Sequence, residues 1–339
     1  MATIRDISKN TKLSIATISR VLSNDPSFNV SQETKDLIYK AVEELNYKYK
    51  SKGKRHKTRS IGCVMSLSYD YYLDPFFASI LNSVQANSIR YNCDSVITLK
   101  YSDILSQNSF ISTVLDQLDG IILMEKLPPN VFEYVKSKVT YIVGVDLKID
   151  GHPAIGYSLL DANMQVMDYL VKDCGYRHIA YVGGGIPSES IYDSTRMIAY
   201  RECLRKNQIE FDESLIVDCE WNIDVCAQMT KELLLLHPEI DAIFAGSDTL
   251  ANAILGTLYD MQISCPEDLG IIGFNNNYGS VLSVPPLTTL EVPTQDIGIQ
   301  ALKILMDCIN TRQIHESFTQ LPTRIIPRLT TRNIKNKMP

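Results

Sequence analysis

The sequence predicts a small all-α helix-turn-helix head followed by a larger α/β body of two doubly wound parallel-sheet subdomains. Charge indicates the division, because residues 1–60 hold 13 Lys and Arg against 6 Asp and Glu, whereas the remaining residues hold 20 against 33. The first 46 residues have the periodicity of three short helices, and the chain from Ser60 onward alternates apolar runs with helical stretches. A basic head on an acidic body is expected of a nucleic-acid reader joined to a second function.

Each predicted helix of the head follows a residue that can cap its N-terminus: Thr3, Ser14 or Ser31. The third helix has an apolar stripe formed by Leu37, Ile38, Ala41, Val42 and Leu45. Two short helices joined by NTKLS are typical of a helix-turn-helix, whose second helix contacts base edges. In that helix, IATISRVL, Ile15 and Ala16 suit a thymine methyl group and Arg20 suits guanine. The alternative is a plain three-helix bundle with Ile15 buried.

Seven apolar runs in the body have the length and composition of buried parallel strands. They are SIGCVMSL, SVITLK, GIILM and TYIVGV in a first series, and HIAYVGG, DAIFAG and GIIGF in a second. Helices are predicted near residues 75–90, 108–118, 130–138, 161–173, 194–207, 223–236 and 248–261. Two such series predict two sheets, with a ligand in the crevice at the carboxyl ends of the strands.

Motifs of enzymes and of metal sites are missing from the sequence. The string GGGIPSES follows a predicted strand but lacks the GxGxxG spacing of a dinucleotide site, and P-loop, GxSxG and HExxH patterns are absent. The 8 cysteines form no CxxC or Cys/His ligand spacing. We therefore expect no enzymatic activity, no cofactor and no metal. With no secretory signal and no apolar run of 18 residues, we expect a cytoplasmic, nucleoid-associated protein without membrane contact.

The segment TIRDISKNTKLSIATISRVLSN, with VSQETKDLIYKAVEELNY after it, closely resembles the head of the lactose-repressor/galactose-repressor family. The resemblance implies that Ile15, Ala16 and Arg20 read bases in the major groove. It also implies a set of residues that position the head on phosphates: Thr3, Ser14, Thr17, Ser19, Asn24, Thr34 and Tyr47.

The linker departs from the family pattern, in which an Asn-Pro-x-Ala segment and a Leu form a hinge helix. Here residues 48–59 read KYKSKGKRHKTR, with seven Lys and Arg and neither Leu nor Pro. The segment suits a solvated linker in the free protein. On DNA we expect it to act electrostatically through Lys50, Lys52, Lys54 and Arg55.

The resemblance continues through VDLKIDG, GYRHIAYVGG, STRMIAYRECL and GIIGFNN to PPLTTLEVPTQDIGIQALKIL. It implies an effector domain of the periplasmic-binding-protein type, with chain crossings near 157–160, 286–290 and 318–322. The expected domains are the head at 1–47, the linker at 48–60, an N-subdomain at 61–157 and 288–318, and a C-subdomain at 158–287 and 319–333.

The residues that the resemblance places in the ligand cleft have chemistry suited to a polyol. They are Asp74, Phe76, Asp146, Arg196, Trp221, Ser247, Asp248 and Asn275. Asp accepts hydroxyl hydrogen bonds, Arg and Asn donate, and Trp offers an apolar face to a sugar ring. Ser247 and Asn275 stand where relatives often have Asn and Asp, and a Ser-Asp pair at this strand end favours the galactose/β-galactoside group.

These features predict a homodimeric repressor of a sugar-utilisation operon that binds palindromic double-stranded operator DNA and answers to galactose or a galactoside. A DNA-binding regulator controlled by a phosphorylated sugar, a purine or a phosphocarrier protein is one alternative. A sugar-binding receptor without DNA function is another.

Overall fold

A computed structural model of the chain describes residues 3–22, 30–45, 59–65, 75–185 and 190–332. The chain divides into two compact units, Met1–Thr58 and Arg59–Pro339. Residues 48–58 of the predicted linker lie outside the described residues, as do seven of the predicted site residues: Asn24, Tyr47, Lys50, Lys52, Lys54, Arg55 and Asp74.

The first unit contains the three predicted helices, α1 (Ile4–Thr11), α2 (Ile15–Leu22) and α3 (Gln32–Glu44). Their apolar faces meet in a small core of Ile7, Ile18, Val21, Ile38 and Ala41, each at most 6% exposed. One predicted core residue, Leu37, is instead 47% exposed, because Ile38 and Ala41 already fill the inner face of α3. The described part of the head is thus a helix-turn-helix closed by a third helix.

The second unit alternates strands and helices, with bounds as follows. The described helices are α4 (Pro75–Ser88), α5 (Tyr101–Ser106), α6 (Ser109–Asp116), α7 (Pro129–Lys138), α8 (Leu159–Asp168), α9 (Thr195–Lys206), α10 (Ile223–Leu236), α11 (Asp248–Asp260), α12 (Tyr278–Leu282) and α13 (Thr294–Thr311). The strands are β1 (Arg59–Met65), β2 (Cys93–Lys100), β3 (Gly120–Leu123), β4 (Ile142–Val145), β5 (Pro153–Gly156), β6 (Ile179–Gly183), β7 (Ile216–Asp218), β8 (Ala242–Ala245), β9 (Gly270–Asn275), β10 (Thr288–Glu291), β11 (Ser317–Gln320) and β12 (Arg324–Ile326).

The strands form two six-stranded sheets with the same winding. The first has the order β11-β5-β4-β3-β1-β2, and the second has the order β12-β10-β9-β8-β6-β7. All described pairings are parallel except that of β12 with β10. The seven predicted strands all occur. The other five were not predicted, since they are short and their apolar stretches are interrupted by polar, Gly or Pro residues.

Two domain boundaries differ from those predicted. Strand β10 at residues 288–291 belongs to the second sheet, where it pairs with β9 and β12, so the second crossing follows Glu291. Strand β11 ends at Gln320 in the first sheet, two residues past the predicted boundary at 318. The polar sequence TTLE in β10 resembles a loop, but Thr288 and Thr289 are fully buried and hydrogen-bonded through their side chains. Only packing against β9 identifies it as a central strand.

Candidate functional site

The outer face of α2 is formed by the side chains predicted to read bases. Ile15 is 43% exposed, and Ala16 and Arg20 are also exposed, while Ile18 and Val21 point into the core. The alternative of a plain bundle requires Ile15 to be buried, so its exposure favours the recognition helix. A β-branched apolar residue at the exposed start of a helix gains nothing in water, whereas against a thymine methyl it buries apolar surface.

The hydroxyl residues predicted to contact phosphate are placed by local capping bonds. Thr17 Oγ1 lies 2.8 Å from Ser14 Oγ, which also accepts from the Thr17 backbone at 3.1 Å. Thr34 has the same relation to Ser31, at 2.9 and 3.3 Å. The hydroxyl of Thr3 donates to the carboxylate of Asp6 at 2.7 Å. Thr17 and Thr34 are half-buried and Ser14 is exposed, so these hydroxyls lie at helix N-termini, where phosphates bind favourably.

In the second unit, Arg196 lies between two aromatic rings at the carboxyl edge of the second sheet. Its guanidinium carbon is 5.1 Å from the centre of the Trp221 ring and 5.5 Å from that of Phe274. Arg196 stands at the start of α9, behind the capping Ser194, whereas Phe274 is the buried penultimate residue of β9. Stacking on aromatic faces fixes the plane of a guanidinium group. Phe274 was not predicted, since a buried aromatic in a strand is ordinarily core.

The indole of Trp221 is held by its own loop. Its Nε1 donates to the carbonyl of Gly185 at 2.9 Å, and Trp221 adopts a left-handed backbone with φ +60°. Asp218 steadies the same turn by accepting from the Glu220 backbone at 3.0 Å. A Cβ on Gly184 would lie 2.5 Å from the indole, so only glycine permits this packing. The Trp221 ring is therefore held in one position by its own loop.

Asp146 follows β4 at the carboxyl edge of the first sheet and also has a left-handed backbone, with φ +55°. Asp146 keeps exposed surface, as a residue that contacts a ligand requires. Desolvation raises the pKa of Asp146 to about 7, and the Arg196 charge opposes this rise. The charge of Arg196, a residue of the other subdomain, therefore acts on the Asp146 carboxylate.

Two predicted ligand residues, Ser247 and Asp248, use their side chains in hydrogen bonds within the protein. Ser247 is 2% exposed and caps α11 by accepting from the Leu250 backbone at 3.3 Å. Asp248 is fully buried, accepting from the Thr289 hydroxyl at 2.5 Å and from the Asn277 backbone at 2.6 Å. These contacts tie α11 to β10 and to the loop after β9. The prediction that Asp248 contacts ligand does not fit this placement, since it has no surface to offer.

Asn275 ends β9 with φ +101° and leads into a polar network that was not predicted. The side-chain amide of Asn276 donates to Glu291 at 2.9 Å, and its oxygen accepts from Arg328 at 2.6 Å. Glu291 also pairs with Arg324. The network joins the loop after Asn275 to both C-terminal chain crossings. Its members are far apart in sequence, so no motif could have revealed it.

One cavity in the described part of the chain has a volume of about 940 Å³. It extends from Phe76, which is 8% exposed on the first turn of α4, past Asn275 to the crossings at 291–296 and to Arg324 and Arg328. Of the predicted ligand residues it contains only Phe76 and Asn275. The Arg196–Trp221–Asp146 group lies outside its lining and supplies the chemistry expected of a ligand site.

Within the described ranges, no group of His, Cys, Asp and Glu has the arrangement of a metal site. None of the described helices combines the length and apolar character needed to cross a membrane.

Comparison with known proteins matches both units. The family of bacterial regulatory proteins of the lacI type matches residues 3–49, and a periplasmic binding protein-like domain matches residues 168–331. The ribose operon repressor of Halalkalibacterium halodurans is 28% identical over 99% of both chains. The structure resembles a complex of the regulator CelR with cellobiose (TM-score 0.69, 22% identity, 97% of this chain and 100% of that one). It also resembles the lac repressor dimer bound to operator and an anti-inducer (TM-score 0.70, 20% identity, 97% and 99%).

The head and the two-sheet body together define a DNA-binding transcriptional regulator with an effector domain of the periplasmic-binding-protein type. The chain belongs to the lactose-repressor/galactose-repressor family, as the resemblance indicated.

Proposed function

We propose that the protein is a dimeric repressor of a sugar-utilisation operon, controlled by a neutral sugar bound between Asp146 and the Arg196–Trp221 pair. The observation that carries the proposal is the Arg196 guanidinium held between Trp221 and Phe274, with the Asp146 carboxylate across the crevice. A sugar hydroxyl both donates and accepts, so it can satisfy a carboxylate and a guanidinium at once. The indole wall offers an apolar surface to the C–H face of the ring.

The charge of this group favours a neutral ligand over a phosphate. The Asp146 carboxylate lies within the electrostatic influence of Arg196, so a dianion bound between them would meet one cation and one like charge. Galactose or a galactoside is the first ligand to test, because the Ser-Asp pair at residues 247–248 resembles that of the galactose/β-galactoside group. The buried Asp248 supports this choice only indirectly, by shaping the loop that carries Asn275 and Asn277.

A dimer is proposed because one helix-turn-helix contacts only half of a palindromic site. The body offers an apolar surface for a second copy, with Tyr259 85%, Tyr278 77% and Val284 91% exposed. Tyr259 and Val284 line the same two surface depressions, so they are neighbours. Sedimentation of Val284→Glu against the wild type tests this surface, and an unchanged mass would place the interface elsewhere.

The effector is tested by a thermal-shift screen of galactose, lactose, ribose, cellobiose, hexose 6-phosphates and purines, with Arg196→Ala as the matched control. We expect a neutral sugar to raise the Tm of the wild type but not of the variant. The best ligand is then added to a gel shift with an operator selected from random DNA. A preference for a phosphorylated sugar or a purine would overturn the neutral-sugar proposal and leave the DNA-binding function intact.

A further inference from the structure

Tyr181, in the middle of β6, has a hydroxyl without a hydrogen-bond partner among the described residues. The side chain is 1% exposed and packs edge-on against Phe244, with ring centres 5.2 Å apart. Its hydroxyl points to the carboxyl edge of the sheet, since a Cβ on Gly183 would lie 2.3 Å from it and a Cβ on Gly246 3.0 Å. The orphaned group thus lies just beneath the proposed ligand site.

Two other tyrosines of this unit that are at most 1% exposed have partners. The Tyr176 hydroxyl, also 1% exposed, accepts from the Arg332 backbone at 3.1 Å, and the Tyr200 hydroxyl donates to the carbonyl of Ile179 at 2.5 Å. A buried polar group without a partner costs free energy that an apolar group of the same shape would not. Phenylalanine would suit position 181 better on packing alone, so the hydroxyl calls for an explanation.

A second buried polar group without a partner belongs to Arg196. Nε of Arg196 is buried and has no partner in the described part of the chain. The Arg196 charge acts on the Tyr181 hydroxyl, and Gly246 packs against both that hydroxyl and the Trp221 ring. Burial raises the pKa of Tyr181 to about 12, so the hydroxyl stays protonated and its oxygen can accept a hydrogen bond. The Nε–H of Arg196 is a donor and the Tyr181 hydroxyl an acceptor, so each can satisfy the other.

We propose that Tyr181 is a positioning residue for Arg196, accepting a hydrogen bond from its Nε when a ligand occupies the cleft. In the free protein both groups are buried and unbonded, and the Arg196 charge acts on the Tyr181 hydroxyl. When a ligand binds the Arg196 guanidinium, the group shifts so that its Nε–H can donate to the Tyr181 hydroxyl. That hydrogen bond then holds the terminal nitrogens of Arg196 towards the ligand. Because the bond is made in only one of the two states, its free energy adds to ligand affinity. The inference rests on the proposed function, which supplies the ligand.

The test is Tyr181→Phe, with Tyr176→Phe as the matched control at the opposite, amino edge of the sheet. The probe is the neutral sugar that gives the wild type its largest thermal shift, and affinity is measured by calorimetry. We expect Tyr181→Phe to raise the Tm of the free protein and to weaken sugar binding about tenfold, the effect of a hydrogen bond to a charged group. Tyr176→Phe should lower the Tm and leave the affinity within twofold. A purely structural tyrosine would not move the two measurements in opposite directions.

Two results would overturn the proposal: a lower Tm of free Tyr181→Phe, or a sugar affinity within twofold of the wild type. If no neutral sugar shifts the wild type, the proposed effector class fails. The free-protein comparison then decides the Tyr181 inference alone, with a raised Tm supporting an unpaired hydroxyl and a lowered one contradicting it.

Discussion

The outer face of α2 and the sugar cleft are assembled in opposite ways. Ile15, Ala16 and Arg20 share one eight-residue helix, and the capping bonds beside them join residues three apart. Asp146, Arg196, Trp221 and Phe274 come from four separate segments and meet only when both sheets have formed. The head presents its side chains on one exposed helix face, whereas the cleft combines side chains from both sheets. Local structure is therefore sufficient for a DNA-reading face, and a ligand site needs the whole body.

The largest expected effect is a loss of sugar binding that leaves operator binding unchanged. Arg196→Ala or Asp146→Ala should weaken sugar binding at least 100-fold, roughly the 3 kcal/mol of a hydrogen bond to a charged group. Operator affinity without ligand should stay within threefold, because the head folds around its own core. Calorimetry with sugar and gel shift with operator check the two halves. An equal loss of operator binding would show that the cleft also shapes the DNA-bound state.

Asp248 sharpens the distinction between a ligand residue and a supporting one. Asp248→Ala should lower the free energy of unfolding by about 2–4 kcal/mol, because it leaves the Thr289 hydroxyl and the Asn277 N–H buried and unpaired. Urea denaturation measures this loss. The folded variant should bind sugar within about fivefold of the wild type. A variant of normal stability that no longer binds sugar would restore Asp248 to the ligand site.

Arg20 tests the orientation of the recognition helix. Arg20→Ala should cost about 1–3 kcal/mol of operator binding, with discrimination lost at one base pair of each half-site. The thermal stability and the sugar affinity should not change, since the side chain is exposed. Competition gel shifts with single-base operator variants locate the base pair. Wild-type affinity in Arg20→Ala would mean that another face of α2 enters the groove.

The basic linker should contribute charge rather than sequence recognition. Replacing Lys50, Lys52, Lys54 and Arg55 with Gln should weaken binding to operator and random DNA alike. It should also reduce the slope of log K against log salt by roughly 3–4. Filter binding between low and physiological salt measures both. A loss restricted to operator, with an unchanged slope, would indicate an ordered hinge instead.

The smallest expected effect is a pH dependence of thermal stability that arises from Asp146 in the cleft. The pKa of Asp146 rises from 3.8 to about 7 on folding, so the folded state binds the proton more tightly and the wild type loses stability as pH rises from 4 to 7. Asp146→Asn has no such loss. Its Tm should match the wild type at pH 4 and exceed it at pH 8 by about 2 °C, near 1 kcal/mol after allowing for solvent screening of an exposed group. Parallel curves at all pH values would contradict the raised pKa.

The sequence by itself determined the class of the molecule. The periodicity of three helices, the charge of the head and the long apolar strands each depend on residues close in the chain, and all seven predicted strands occur. Arg196 and Trp221 were predicted as ligand residues from the resemblance, and the structure brings their side chains together. Only the tertiary structure decided what their neighbours are. Phe274 and Tyr181 look like ordinary core residues, Asp248 looks like a ligand residue, and TTLE looks like a loop, because burial and hydrogen-bond partners depend on segments tens of residues away. A polar or aromatic side chain has the same appearance in a sequence whether its partner is water, a ligand or the opposite strand, and the fold alone supplies that partner.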